Sequence, residues 1–279
     1  MSLPVIPGAE AWSVTGGPEG ALVLHGFGGT PATVGPVARA LAATGLSVVV
    51  PRLPGHGTTI DDLVATRFSD WSSAVEDAYQ ILAAACTSVA VVGQSMGATL
   101  ACWLATRHPG IAGVVAVNPL VEAPDPELVE LVRLMLDAGE VVADGQDADL
   151  ADPQATEIAY RGTPLAAALS LYQALGDLQA DLPRVACPLL IMTSAEDHVV
   201  DPRNSDQLAD AVGGPVERLT LEHSYHVATL DHDKDLIAAR TVSFVRKVTE
   251  RSATRARPTA GAAAARGGRR SGGAGPTAG

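Results

Sequence analysis

The chain has few of the features that would place a protein in a membrane or outside the cell. It contains no run of about 18 apolar residues, so we expect no membrane-spanning helix. Its three cysteines are widely spaced and form no CxxC pair, which predicts no disulfide framework. Residues 1–10 lack a basic segment followed by an apolar one, so no secretory signal peptide is predicted. These absences together predict a cytoplasmic protein.

Basic residues are also scarce. Lys and Arg number 19 against 31 Asp and Glu, and the formal net charge is −12. Six of the arginines lie in residues 251–279, a segment without any acidic residue, so the remainder of the chain is still more acidic than the whole. Because contacts with phosphates need clustered Lys and Arg, we expect the folded body to bind no nucleic acid.

Aromatic residues make up only 4% of the chain and charged residues 18%, whereas 47% of the residues are hydrophobic. A chain of 279 residues is long enough to bury one sizeable core and short for two full domains. The composition therefore favours one aliphatic core in an α/β protein.

Short β-branched runs alternate with helical patterns along the chain. Runs that are apolar on both faces predict strands of a parallel sheet covered by helices on both sides. The predicted strands are 21–24, 47–50, 88–92, 113–117, 188–192 and 216–221. The predicted core helices are 34–43, 71–86 with Asp70 as N-cap, 95–107, 202–212 and 233–248. This alternation is typical of a doubly wound or hydrolase-type α/β sheet.

The alternation stops between residues 119 and 183. This stretch shows two amphipathic helical patterns, Pro126–Asp137 and Pro164–Leu178, with an acidic joint at 139–152 and no convincing strand. An insertion of this kind between two sheet strands predicts an all-helical cap.

The chain is thus predicted to divide into four segments. The core occupies 1–118 and 184–250, and the cap occupies 119–183. Residues 251–279 consist almost entirely of Ala, Gly, Pro, Ser, Thr and Arg. Such a segment buries too little apolar surface to offset its ordering entropy, so we expect a disordered tail.

The strongest chemical motif is Gly93-Gln94-Ser95-Met96-Gly97, which lies between a predicted buried strand and a predicted helix. A strand followed by GxSxG and a helix is typical of a nucleophile elbow, in which glycines allow a sharp turn beside a strained serine. Ser95 is therefore the candidate nucleophile. The N–H groups that open the helix, beginning with Met96, would point to a developing oxyanion.

A nucleophilic serine needs a base and an acid that orients the base, expected in the chain order Ser, Asp or Glu, His. Three acids, Glu196, Asp197 and Asp201, follow one predicted strand, and two histidines, His223 and His226, follow the next. Both groups lie at carboxyl ends of strands, where open α/β sheets bind ligands. Spacing alone leaves the three acids and the two histidines as rivals.

A second oxyanion donor is expected from the loop after an early strand. The segment His25-Gly26-Phe27-Gly28-Gly29 has this position, so the Phe27 N–H is the predicted partner of the Met96 N–H. The alternative, a phosphate-binding loop, lacks GK[ST], and Pro31 occupies the place of the last glycine in GxGxxG.

The motifs resemble those of the bacterial thermostable monoacylglycerol lipases and related carboxylesterases of the α/β-hydrolase fold. The resemblance covers nearly all of residues 1–250. It is carried by HGFGGTP (25–31), PRLPGHGT (51–58), GQSMG (93–97), EDHVV (196–200) and SYHVATLDHD (224–233).

The resemblance implies roles that spacing does not assign. It implies that His226 is the base and Asp197 the acid. It also implies that Glu157, in the run Glu157-Ile158-Ala159-Tyr160, is the carboxylate that hydrogen-bonds the free hydroxyls of the glycerol group. The chain departs from the family pattern at Gln146, near the position of an apolar residue of the alcohol pocket.

Other polar residues favour no separate site. His56 is interpreted as a structural loop residue. The acidic series Asp144, Asp147, Asp149 and Asp152 lacks the EF-hand spacing and is interpreted as a solvated joint. No zinc-like set of ligands accompanies His223 and His226. We expect no metal and no cofactor.

The motifs therefore predict a serine hydrolase, and the resemblance implies that it is an ester hydrolase that acts on monoacylglycerols or similar short-to-medium acyl esters. The alternatives are a general carboxylesterase or another hydrolase on the same fold. In that reading the Arg-rich tail is a tether for an anionic partner.

Overall fold

The computed structural model describes residues 3–145 and 147–256. Its centre is a seven-stranded sheet in the order β1-β3-β2-β4-β5-β8-β9, and β6 and β7 form a separate pair. The strands are β1 (Trp12–Val14), β2 (Glu19–Leu24), β3 (Ser47–Val50), β4 (Ser88–Gln94), β5 (Val114–Val117), β6 (Val142–Ala143), β7 (Thr163–Pro164), β8 (Leu189–Ser194) and β9 (Val216–Leu221).

Helices connect the strands. They are α1 (Gly35–Ala43), α2 (Ile60–Val64), α3 (Phe68–Ala85), α4 (Met96–Ala105), α5 (Pro126–Asp137), α6 (Leu165–Asp181), α7 (Arg203–Ala211) and α8 (Lys234–Ala256), with a 3₁₀ helix at Leu182–Arg184.

The sheet is parallel except at one edge, where β1 pairs antiparallel with β3. Successive residues of a strand point to opposite faces, so a strand buried on both sides must be apolar at every position. In β4, Val89 and Val91 pack into the cluster with α3 and α4, whereas Ala90 and Val92 pack into the cluster with α1 and α8. The predicted mostly parallel sheet with helices on both faces is confirmed.

Strand order places the important loops side by side. β4 lies between β2 and β5, and β8 lies between β5 and β9. In a parallel sheet the carboxyl ends of the strands meet at one edge. The loops after β2, β4, β8 and β9 therefore converge there, and these loops carry the predicted site residues.

Three local expectations are corrected. The edge strand β1 was not predicted, because three exposed residues give no alternating pattern. Helix α3 begins at Phe68 rather than Trp71, and Asp70 lies within its first turn, where its carboxylate accepts a hydrogen bond from the Arg67 N–H at 2.8 Å. The insertion is not all-helical, because β6 and β7 form a short antiparallel pair between α5 and α6.

The last helix continues beyond its predicted end. Helix α8 reaches Ala256, so the first residues of the predicted tail, 251–256, are helical. The remainder of that segment, 257–279, lies outside the described residues. Within the described residues, no helix is both long and apolar enough to cross a membrane.

Candidate active site

Ser95 lies at the turn from β4 into α4. Its φ of 54° and ψ of −124° are in a region that non-glycine residues rarely adopt, at a cost of about 1–3 kcal/mol. The turn is held by the Ser95 N–H, which donates to the Val117 carbonyl at 2.9 Å. A Cβ on Gly93 would lie 2.1 Å from the Gly97 carbonyl oxygen, and a Cβ on Gly97 would lie 2.2 Å from the Leu24 carbonyl oxygen. Both outer glycines of the motif are therefore required by close backbone approach.

The structure brings Asp197 and His226 together. His226 Nδ1 lies 2.8 Å from Asp197 Oδ2, and the two side chains are only 9% and 2% exposed. The other carboxylate oxygen of Asp197 accepts the N–H groups of Val199 and Val200 at 2.9 and 2.8 Å. Because a carboxylate accepts, this contact places the proton on Nδ1 and leaves Nε2 as the basic nitrogen.

The rival acids and the rival base lie elsewhere. Glu196 and His223 are exposed. Asp201 forms an ion pair with Arg203, with 2.6 Å between the carboxylate oxygen and a guanidinium nitrogen, and this contact lowers the pKa of the Asp201 carboxyl. Among the described residues, Asp197 is thus the one of the three acids that contacts either candidate histidine, and the histidine that it contacts is His226.

The two predicted oxyanion donors have no acceptor of their own. Neither the Phe27 N–H nor the Met96 N–H donates to any group within residues 3–145 and 147–256. Phe27 follows β2 and Met96 follows the neighbouring β4, so adjacent strands supply the pair. Between them, a Cβ on Gly26 would lie 3.3 Å from the Ser95 Cβ, which shows how closely the two loops approach.

Two buried histidines support the Phe27 loop. His25 Nδ1 donates to the Gly26 carbonyl at 2.9 Å, and its Nε2 accepts the Leu53 N–H at 3.2 Å. A ring that donates with one nitrogen and accepts with the other is neutral, and burial lowers the pKa of His25 to about 3. His56 is likewise buried, and burial lowers its pKa to about 4. Its ring packs edge-on 6.2 Å from Phe27, centroid to centroid, as expected of a structural residue.

Sequence reasoning missed the side chains at the ends of β4 and β5 that hold the His226 loop. Asn118, at the end of β5, donates from Nδ2 to the His226 carbonyl and to Ser194 Oγ, both at 2.9 Å. Its Oδ1 accepts the Ser194 N–H at 2.8 Å. Gln94 Nε2 donates to the same His226 carbonyl at 3.2 Å, and Gln94 Oε1 accepts from Thr229 Oγ1. Asn118 adopts a φ of 44°, a left-handed conformation that asparagine tolerates better than most residues.

Asp231 organises the same loop from the other side. Its carboxylate accepts the N–H groups of Tyr225, His232, Ala151 and Asp152, each at 2.8–2.9 Å. Burial raises the pKa of this carboxyl, but the four backbone donors outweigh burial and hold the pKa below its ordinary value. Part of the loop's support therefore comes from the 119–183 insertion.

Ser95 and His226 open onto a cleft of about 990 Å³. Its walls include apolar and aromatic side chains of the insertion and of the neighbouring loops: Phe27, Leu120, Leu128, Leu171, Tyr172, Leu175 and Val199. These apolar side chains give an acyl chain a surface to pack against.

Glu157 lines the cleft as a half-buried carboxylate. Burial raises the pKa of its carboxyl, while a hydrogen bond from Thr33 Oγ1 to Glu157 Oε1 at 2.8 Å and the nearby His226 lower it. Among the described residues, no group donates to Oε2. The Tyr160 N–H donates to the Gly28 carbonyl at 3.0 Å, which ties this part of the insertion to the Phe27 loop. Gln146, the departure from the family pattern, lies outside the described residues.

The acidic joint is not uniformly solvated. Asp147 is 80% exposed beside Arg161, as expected, but the Asp149 side chain is only 15% exposed and is hydrogen-bonded to the core. Within residues 3–145 and 147–256, no group of three or more His, Cys, Asp or Glu is arranged to hold a metal ion.

Comparisons with known proteins agree with this geometry. The family described as "Serine aminopeptidase, S33" matches residues 18–233. The chain is 40% identical over 247 residues to the thermostable monoacylglycerol lipase of Bacillus sp. (strain H-257), covering 88% of this chain and 97% of that one. It is 26% identical to the carboxylesterase of Bacillus subtilis (strain 168), covering 86% and 97% of the two chains.

Solved structures give the same result. A structure described with LipS and LipT, two metagenome-derived lipolytic enzymes, superposes with a TM-score of 0.83 and 38% identity, covering 88% of this chain and all of that one. The resemblance inferred from the motifs and the α/β-hydrolase fold are confirmed. The chain belongs to the serine aminopeptidase S33 family of α/β-hydrolases.

Proposed function

We propose that the protein is a serine ester hydrolase that cleaves monoacylglycerols, or similar acyl esters, to fatty acid and glycerol through an acyl-enzyme. One observation carries the proposal: the strained Ser95 and His226, which is paired with Asp197, line the same cleft as apolar side chains and the half-buried Glu157 carboxylate. The activities of the relatives, a monoacylglycerol lipase and a carboxylesterase, support it.

In the proposed first step, His226 Nε2 takes the proton of Ser95 as Ser95 Oγ attacks the ester carbonyl carbon. Asp197 holds the ring in the tautomer with the proton on Nδ1 and stabilises the imidazolium that forms. The carbonyl oxygen becomes an oxyanion and accepts hydrogen bonds from the free N–H groups of Phe27 and Met96. Removing one such donor typically slows catalysis about 10²–10³-fold.

The tetrahedral intermediate then collapses. The bond between the acyl carbon and the glycerol oxygen breaks, and that oxygen takes the proton from His226. Glycerol then departs, and the acyl group remains bound to Ser95. Water attacks the acyl-enzyme with His226 again as base, and the fatty acid is released with Ser95 reprotonated. No step needs a redox change or an additional group.

Substrate choice in this proposal depends on two parts of the cleft lining, the apolar side chains and the Glu157 carboxylate. The apolar walls hold the acyl chain, and Glu157 Oε2, which lacks a partner among the described residues, accepts a glycerol hydroxyl. A monoacylglycerol offers two free hydroxyls, whereas a diacylglycerol offers one and brings a second acyl chain. The insertion at 119–183 acts as a cap that excludes this second chain.

The test is a substrate series with the purified full-length protein: a monoacylglycerol, the matching diacylglycerol, an aryl ester of the same acyl chain and an aminoacyl anilide. The proposal predicts the highest kcat/KM for the monoacylglycerol and little turnover of the diacylglycerol and the anilide. Equal kcat/KM for monoacylglycerol and aryl ester would make the protein a general carboxylesterase. Preferred cleavage of the anilide would make it a peptidase and refute the proposal.

We also propose that the protein works in the cytoplasm. Cys86, Cys102 and Cys187 are free thiols, and burial raises the pKa of Cys102 to about 12 and of Cys187 to about 11. A reducing compartment preserves such thiols. Fractionation of cells that express the native chain tests the location.

A further inference from the structure

We infer that Asp149, in the insertion, is a positioning residue that couples the insertion to the catalytic pair, because one of its carboxylate oxygens holds the acid-bearing loop and the base-bearing loop at a fixed separation. The inference rests on the proposed function, since it assigns a role relative to Asp197 and His226.

The key contact is a shared acceptor. Asp149 Oδ2 accepts the His226 N–H at 3.0 Å and the His198 N–H at 3.1 Å. His198 directly follows Asp197 in the chain. A single oxygen thus bonds to the backbone of the base and to the backbone next to the acid, and its position limits how far the two loops can separate.

The remaining polar atoms of Asp149 strengthen the same junction. Its Oδ1 lies 2.9 Å from His198 Nδ1, and its carbonyl accepts the Val227 N–H at 3.1 Å. His198 in turn packs edge-on against Tyr225, with ring centroids 4.6 Å apart. The Asp149 side chain therefore contacts both loops, and its backbone carbonyl contacts the base-bearing loop, although the residue belongs to neither loop.

Burial makes these contacts consequential. The Asp149 side chain is only 15% exposed, and the hydrogen bond that it accepts from the His226 N–H is partly buried, so water does not freely replace this acceptor. Since the insertion also walls the cleft, a movement of its joint away from the core would release the His198 and His226 N–H groups together. The alignment of His226 with Asp197 therefore depends on the seated position of the insertion.

A variant series tests this role with the full-length protein. Asp149→Ala removes the shared acceptor, and a displacement of about 1 Å in a catalytic group lowers turnover on the order of 10²-fold. We expect kcat to fall by about that factor for monoacylglycerol and aryl ester alike, because the change affects the triad and not one substrate. Asp149→Asn keeps one oxygen able to accept both N–H groups, so it should restore most of kcat.

The matched control is Asp152→Ala. It removes the same charge three residues further along the joint, where, among the residues that the structure describes, the carboxylate accepts only the nearby Gln154 N–H at 2.9 Å. The Asp152 N–H, which donates to Asp231, is kept. This variant should retain wild-type kcat. If Asp149→Ala does not fold, Asp149→Glu, which moves the carboxylate by one methylene, should show the same loss.

Amide hydrogen exchange supplies a readout that is independent of activity. In Asp149→Ala the His198 and His226 amides should exchange faster than in wild type, and in Asp149→Asn and Asp152→Ala they should not. Unchanged kcat or unchanged exchange in Asp149→Ala would overturn the inference, as would equal losses in the Ala and Asn variants. A wild-type protein without any esterase activity would instead refute the proposed function, and the exchange data would still decide the role of Asp149.

Discussion

Replacing Glu157 by alanine removes the carboxylate proposed to bind the alcohol part of the substrate. Thr33 occupies Oε1, so the substrate is expected to bond to Oε2. A hydrogen bond to a charged group contributes about 1.5–3 kcal/mol. At about 1.4 kcal/mol per factor of ten, kcat/KM for monoacylglycerol should fall about 10- to 150-fold. Aryl esters lack the glycerol hydroxyls, and their kcat/KM should hardly change.

The assay is the ratio of kcat/KM for a monoacylglycerol to that for an aryl ester of the same acyl chain, compared between wild type and variant. Glu140→Gln, at an exposed cap carboxylate, is the control and should leave the ratio unchanged. A damaged triad or a folding defect would lower kcat/KM for both substrates by the same factor. Equal losses on both substrates, or no loss on either, would refute the role of Glu157.

Glu157→Gln separates charge from shape and adds a pH test. Burial raises the pKa of this carboxyl, so it is protonated at a higher pH than an ordinary glutamate. As the pH is lowered, the wild-type ratio of kcat/KM for monoacylglycerol to that for aryl ester should therefore begin to fall early. The same ratio for Glu157→Gln should not change with pH. A raised folded-state pKa also means that folding becomes less favourable as pH rises through it. Glu157→Gln should therefore have the higher melting temperature at neutral pH, and this difference should vanish in acid.

Four further substitutions test the site and its support. Asp197→Asn should abolish turnover with folding intact, whereas Asp201→Asn should not, and reversed results would reassign the acid. Asn118→Ala leaves the Ser194 N–H without its acceptor and puts alanine at a left-handed φ. Urea unfolding should therefore show a free energy of unfolding lower by about 2–4 kcal/mol. A decrease of less than about 1 kcal/mol would contradict this reasoning. Gly93→Ala places a Cβ against backbone, so kcat should fall on the order of 10²-fold or the chain should fail to fold, and a fully active variant would refute the close packing at the elbow.

The parts of the fold that follow a regular pattern were predictable. Strand β3 (Ser47–Val50) and helix α5 (Pro126–Asp137) have the predicted bounds, because a continuous β-branched run and a proline-opened amphipathic segment each indicate one structure. The N-terminus of α3 was misjudged, since Asp70 suits an N-cap by residue type but contributes from the first turn by accepting the Arg67 N–H. The pair β6–β7 is too short for any periodicity to indicate it.

The chemical motif of the site was predictable, but its support was not. GxSxG between strand and helix marks Ser95, yet spacing left three acids and two histidines, and the contact between Asp197 and His226 appears only in three dimensions. Asn118 and Asp149 carry no sequence signal, because each acts through backbone groups far away in the chain. The feature that marks both residues is a polar side chain that is largely buried, and a single sequence does not show which polar side chains are buried.

The central claim, that Ser95 is the nucleophile of an ester hydrolase, is tested most directly by fatty-acid release from a monoacylglycerol by wild-type and Ser95→Ala protein. The account predicts a loss of kcat on the order of 10⁴–10⁶-fold in Ser95→Ala, and little further loss when His226→Ala is added, because triad members act as a unit. Folding of both variants is checked by thermal melting. Turnover by Ser95→Ala within about tenfold of wild type would contradict the account.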